Sequence, residues 1–198
     1  VKVNYLTYET MEEAAAQLRA GQRFDVVVME HDLIPSLVAD GLMAEIDYRN
    51  VPNFKNISAS FRDLAFDPGN THSIPYNYGT TGLVVRSDLV KAPITRWADL
   101  WDPRYAGKIA VRSQPTELIS VALVSLGYPL NSENPQELEA ALQHLLDLKP
   151  SLIFVDDETE KAIPILLSGE AVIMVGWPQD GYQAGQENEA ITYVLPEE

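Results

Sequence analysis

The chain has 198 residues, 46% of them hydrophobic and 22% charged, which suits one large or two small domains with real cores and excludes a disordered or fibrous chain. Its 29 acidic against 14 basic residues give a formal charge of −15, which argues against nucleic acid or an anionic lipid surface as partner. A cationic ligand suits that charge, although excess surface carboxylate also serves solubility alone. The absence of cysteine removes disulfides, thiolate metal sites and cysteine nucleophiles together. No stretch approaches the roughly 20 apolar residues of a membrane span, and no charged-then-apolar leader opens the chain, so the sequence reads as mature or trimmed.

In chain order, Val1 to Tyr5 alternates as a strand does, and Glu9 to Ala20 carries alanines and Leu18 at helical spacing before Gly21. Phe24 to Val28 reads as a second strand, followed by the polar turn Glu30-His31-Asp32 and a helical segment through Leu33, Leu37 and Val38 that Gly41 stops. From Leu42 to Asp67 the pattern is irregular, and Pro68-Gly69 marks a surface passage. Ser73 to Arg86 predicts two extended pieces joined by Gly79-Thr80-Thr81-Gly82, where the glycines serve either a hinge or a tight crossing.

The rhythm then restarts. Helices are predicted at Thr95 to Trp101, Glu117 to Leu126, Glu137 to Leu146 and Glu158 to Leu167, and strands at Lys108 to Val111, Leu152 to Val155, Ala171 to Val175 and Ile191 to Leu195. Continuous valine runs between helices predict strands covered on both faces, hence an α/β architecture in two lobes.

For chemistry, His31, His72 and His144 lack the short spacings of zinc sites, and no G-x-S-x-G elbow or glycine-rich phosphate loop occurs, so neither a metal nor a cofactor is expected. The run Asp156-Asp157-Glu158 reads as a cap for the next helix rather than as catalytic acids. Ligands of open α/β sheets bind beyond the carboxyl ends of strands. Three turns qualify: Glu30 to Asp32, Ser113 to Glu117, and Trp177-Pro178-Gln179-Asp180. They offer carboxylates and an aromatic face, which an ammonium ligand needs. Each also has a plainer reading, Asp32 and Glu117 as helix-terminus acids and Trp177 as core.

Several motifs recur in order with family-like spacing: Thr7-Tyr8-Glu9, Phe24-Asp25-Val26-Val27, Phe66-Asp67-Pro68, Ser73-Ile74-Pro75-Tyr76, Trp97-Ala98-Asp99-Leu100-Trp101, Tyr105-x-Gly107 and Leu126-Gly127-Tyr128. On these the chain resembles the spermidine/putrescine-binding proteins of polyamine ABC transporters, within the bacterial extracellular solute-binding proteins. The resemblance implies a two-lobed periplasmic binding protein fold of type II that closes over its ligand. It implies lobes at 1–78 and 79–190 and a strand at 191–198 returning toward the first lobe. Against the family the chain looks like a fragment, without the first strand and the C-terminal helices.

The resemblance also implies a ligand-binding set. Glu117 takes the place of an acid that holds a ligand amine, Gln114 replaces a second acid, and Trp177 and Tyr78 match aromatics at the ligand. Glu30, His31 and Asp32 stand where the family has serine and tyrosine, and Asp180 completes the late-strand turn. The implied function is capture of putrescine or spermidine for an ABC permease by a monomeric, non-enzymatic protein. Its place is periplasmic or extracellular, with lipid anchoring of the full-length protein left open. A different small metabolite or ion, or an enzyme using the same cleft, are the competing readings.

Overall fold

The computed structural model describes residues 2–112, 114–155 and 159–197. The chain divides into two compact units, Val1–Tyr78 and Gly79–Glu198.

In the first unit, helix α1 (Met11–Arg19) starts at Thr10, whose hydroxyl accepts from the Glu13 N–H, and it buries Ala14, Ala15 and Leu18. Helix α2 (Ile34–Ala39) has Pro35 in its first turn, where the missing N–H costs nothing, and buries Ile34 and Leu37. Ala15, Leu18 and Leu37 make a small core with Phe24, Val27, Met29 and Leu42. The strands expected at Val1 to Tyr5 and Phe24 to Val28 do not form among the described residues. In the second segment the alternation survives as burial, since Val27 and Met29 pack inward while Val26 is 85% exposed, whereas residues 2–5 are all exposed. Side-chain alternation favours a strand, but a strand also needs a ladder partner, and no described segment pairs with these residues.

The irregular passage after Leu42 is four short 3₁₀ turns, the last at Pro68–Asn70. Its anchor is buried Asp67, whose carboxylate accepts from the N–H groups of Thr71, His72 and Ser73 and from the Ser73 hydroxyl. Burial pushes this carboxyl up, but the hydrogen bonds from Ser73 and His72 outweigh it and hold it below the usual range. A depressed folded value contributes stability that is present above the unfolded value of about 3.9 and lost as pH falls through the folded one. Asp67→Asn is therefore expected to lower the urea midpoint at pH 7, with the gap to wild type closing below about pH 4. An equal gap at both pH values would refute this account of the turn.

The second unit is a five-stranded sheet between helical layers. In chain order its elements are β1 (Gly82–Arg86), β2 (Ile109–Arg112), α3 (Pro115–Ser125), α4 (Pro135–Leu148), β3 (Leu152–Val155), α5 (Thr159–Ser168), β4 (Ile173–Gly176), α6 (Pro178–Glu187) and β5 (Ile191–Val194). The strand order is β3-β2-β4-β1-β5, with β2 parallel to β3 and β4, and β1 antiparallel to β4 and β5.

Because strand side chains alternate, Leu83, Val85, Ile109, Val111, Ile173 and Val175 face one layer, where Trp97, Leu100, Tyr105 and Val121 cover them. Val84, Ala110 and Met174 face the other, against Ala162, Leu166 and Ala184. Both faces are buried, as the valine runs predict. The Thr95 to Trp101 segment, expected as a helix, is a 3₁₀ turn at Trp97–Trp101. The start of the Glu158 helix and the Asp156-Asp157-Glu158 cap lie outside the described residues.

Helix α6 was not apparent in the sequence because its glycines and glutamines make no apolar stripe. The glycines have a packing reason: a Cβ on Gly181 would stand 2.8 Å from the Tyr193 Cβ, and one on Gly185 would stand 3.3 Å from the Ile191 carbonyl. The helix backbone thereby lies directly on β5. Gly181→Ala is expected to destabilise the second unit by about 1–3 kcal/mol through overpacking, read as a lower denaturation midpoint. An unchanged midpoint would show that β5 yields at no cost.

Candidate ligand site

Strands β2 and β4 run in the same direction, so their carboxyl ends lie on one edge of the sheet, and the register Gly82↔Gly176 brings the start of β1 to that edge. Helices α3 and α6 begin there. Pro115 occupies the first turn of α3 and Gln114 is its N-cap residue, which puts Glu117 in the first turn, where the helix dipole favours a carboxylate. Pro178 likewise opens α6, with Trp177 as N-cap.

These starts bring Glu117 and Trp177 together. The indole Nε1–H donates to Glu117 Oε1 at 3.2 Å, and the Thr81 hydroxyl donates to the same oxygen at 2.9 Å. Among the described residues no hydrogen bond reaches Glu117 Oε2. Both Glu117 and Trp177 are half-buried. A carboxylate with one oxygen fixed and one available, beside an indole, can accept a charge-assisted hydrogen bond from an ammonium while the ring lies along an alkyl stem.

Beneath this pair lies a buried ion pair. Arg112, the last residue of β2, donates from both terminal nitrogens to Asp180 at 2.9 and 2.7 Å. Its guanidinium carbon is 4.2 Å from the Trp177 ring centroid. Asp180 also accepts the Trp177 backbone N–H at 2.8 Å. Asp180, expected to face the ligand, is 0% exposed with its oxygens committed, so it supports the site from below. A carboxylate so enclosed has no face to offer a solute.

The small-residue link is a tight crossing at its end. A Cβ on Gly82 would stand 2.5 Å from the Tyr193 hydroxyl and 2.6 Å from the Val194 carbonyl. Tyr193 in turn takes the Thr80 hydroxyl at 2.9 Å and donates to the Thr80 carbonyl at 3.0 Å, which fixes the residue before Thr81.

The remaining expected residues belong to the first unit or stand apart. Glu30, His31 and Asp32 are exposed, and the His31 ring lies 5.4 Å from Phe66. Tyr78 is 74% exposed, with its ring 4.6 Å from Phe61. Gln114 is half-buried one turn before Glu117, and Ser113 lies outside the described residues.

A sequence profile of the bacterial extracellular solute-binding proteins matches residues 1–198. The chain belongs to that family. It is 33% identical over 201 residues to the spermidine/putrescine-binding periplasmic protein of Escherichia coli K12, a match that covers 100% of this chain and 57% of that protein. It is 31% identical over 212 residues to the putrescine/agmatine-binding protein of Pseudomonas aeruginosa PAO1, covering 97% of the chain and 57% of the relative. Among solved structures, the TpPotD lipoprotein of Treponema pallidum superposes with a TM-score of 0.88 at 28% identity, covering 96% of this chain and 60% of that one. The chain thus spans somewhat over half the length of these relatives, and its fold is the α/β fold of such periplasmic binding proteins.

Sequence reasoning missed Thr81 and Arg112 as neighbours of Glu117 and Trp177. Thr81 lay inside the link read for its glycines. Arg112 did leave a signal, a lone charge ending the apolar run Ile109-Ala110-Val111, because a charge at the end of a covered strand needs a buried partner.

Proposed function

We propose that this chain is the ligand-binding part of an ABC transporter's solute-binding protein, which captures putrescine or spermidine outside the cytoplasmic membrane and passes it to the permease. The observation that carries the reading is Glu117 Oε1 held by Thr81 and Trp177, with no hydrogen bond to Oε2 among the described residues, an arrangement suited to an ammonium and its methylene stem. The names of the relatives, which bind putrescine with spermidine or agmatine, support the same ligand class.

In this proposal Glu117 and Trp177 contact the ligand, with Gln114 and Tyr78 at its margins. Glu30, His31 and Asp32 are the first unit's candidates for the other charged end. The lobes 1–78 and 79–190 close over the ligand, the protein acts as a monomer, and no bond is made or broken. Equilibrium dialysis of the protein at its natural length against labelled putrescine tests the reading. Unlabelled putrescine and spermidine should displace the label, while neutral and anionic metabolites of similar length should not. Displacement by the anions alone would overturn it.

A further inference from the structure

We infer that Arg112 is a positioning residue of the ligand site: its guanidinium, neutralised by Asp180, is the platform that holds the Trp177 indole beside Glu117. The consequence for binding rests on the amine reading above, whereas the positioning itself rests on geometry alone. Arg112 is 3% exposed and Asp180 0%, so the two charges cancel inside the fold and add little net field at the surface. What Arg112 presents to the site is then a flat, polarisable face 4.2 Å from the indole centroid.

Three restraints meet on Trp177. Asp180 takes its backbone N–H at 2.8 Å, Glu117 takes its indole N–H at 3.2 Å, and the guanidinium covers one ring face. In this inference the opposite face receives the ligand stem. The strand is shaped around the pair, because a Cβ on Gly176 would stand 2.8 Å from Asp180 Oδ2 and 3.3 Å from an Arg112 terminal nitrogen. Arg112 Nε is buried without a hydrogen-bond partner among the described residues. The two terminal nitrogens serve Asp180 while the guanidinium carbon lies over the indole, so one planar group meets both neighbours. Lysine would keep the charge but lose that plane.

The test is the indole region of a ¹H–¹⁵N spectrum of the protein at its natural length, with the Trp177 signal assigned by Trp177→Phe. In Arg112→Lys the Trp177 signal should shift or broaden and its N–H should exchange with solvent at least about tenfold faster, while the Trp97 and Trp101 signals stay in place. Putrescine affinity should fall about tenfold in Arg112→Lys, yet in a Trp177→Phe background the same substitution should cost under about twofold, because its effect runs through the indole. If Arg112→Lys does not fold, the double variant Arg112→Met with Asp180→Asn removes the platform without an unpaired charge and carries the same expectations. An unchanged Trp177 signal, or an equal loss of affinity in both backgrounds, overturns the inference. If the wild-type protein binds no putrescine, the amine reading fails and the spectra still decide the role of Arg112.

Discussion

Replacing Glu117 by glutamine is expected to weaken putrescine or spermidine binding by about 2–5 kcal/mol, or about 30-fold to about 5,000-fold in Kd. An ammonium leaving water must regain its solvation from the protein, and a carboxylate supplies that with both charge and a hydrogen bond. The glutamine amide keeps an acceptor for Thr81 and Trp177, which now share Glu117 Oε1, so the site's shape should persist. What is lost is the negative charge where the ammonium rests. Calorimetric titration of both proteins measures the difference, and a thermal scan should show the same unfolding temperature for each. Amine binding indifferent to this change would place the ligand elsewhere.

The second large effect is on stability. Asp180→Ala leaves the Arg112 guanidinium charged, 3% exposed and without its carboxylate, and breaking a buried pair in this way costs about 3–5 kcal/mol. The loss also removes the acceptor of the Trp177 N–H at the start of α6. For a unit of this size the transition should fall by about 10–20 °C in a calorimetric scan. Replacing Arg112 and Asp180 together by apolar residues of similar volume should recover much of that loss, since no charge is then left unpaired. If Asp180→Ala unfolds with the wild type, the pair is not formed as described.

The second unit was largely legible because its signals are local. An apolar run such as Ile109 to Val111, followed by the helical stretch Glu117 to Leu126, announces a buried strand with helical cover, and the sheet carries it. The first unit shows the limit of that logic. Val3 and Val26 alternate as strand residues do, but pairing depends on a neighbour distant in sequence, and no described segment supplies one.

Glu117 and Trp177 could be singled out because a proline at a helix start and a strand end are both visible in sequence. Their convergence could not, since 60 residues separate them. Asp180 was assigned to the ligand because a carboxylate beside an aromatic suits a cation, whereas its partner Arg112 lies 68 residues away. No local rule distinguishes an acid that meets a solute from one that meets a buried arginine.

The most direct test of the Glu117 and Trp177 subsite is a crystal structure of the protein at its natural length with putrescine bound. The predicted result is an ammonium nitrogen within hydrogen-bond distance of Glu117 Oε2 and methylenes against the Trp177 face opposite Arg112. A diamine bound with neither Glu117 nor Trp177 in contact would contradict it.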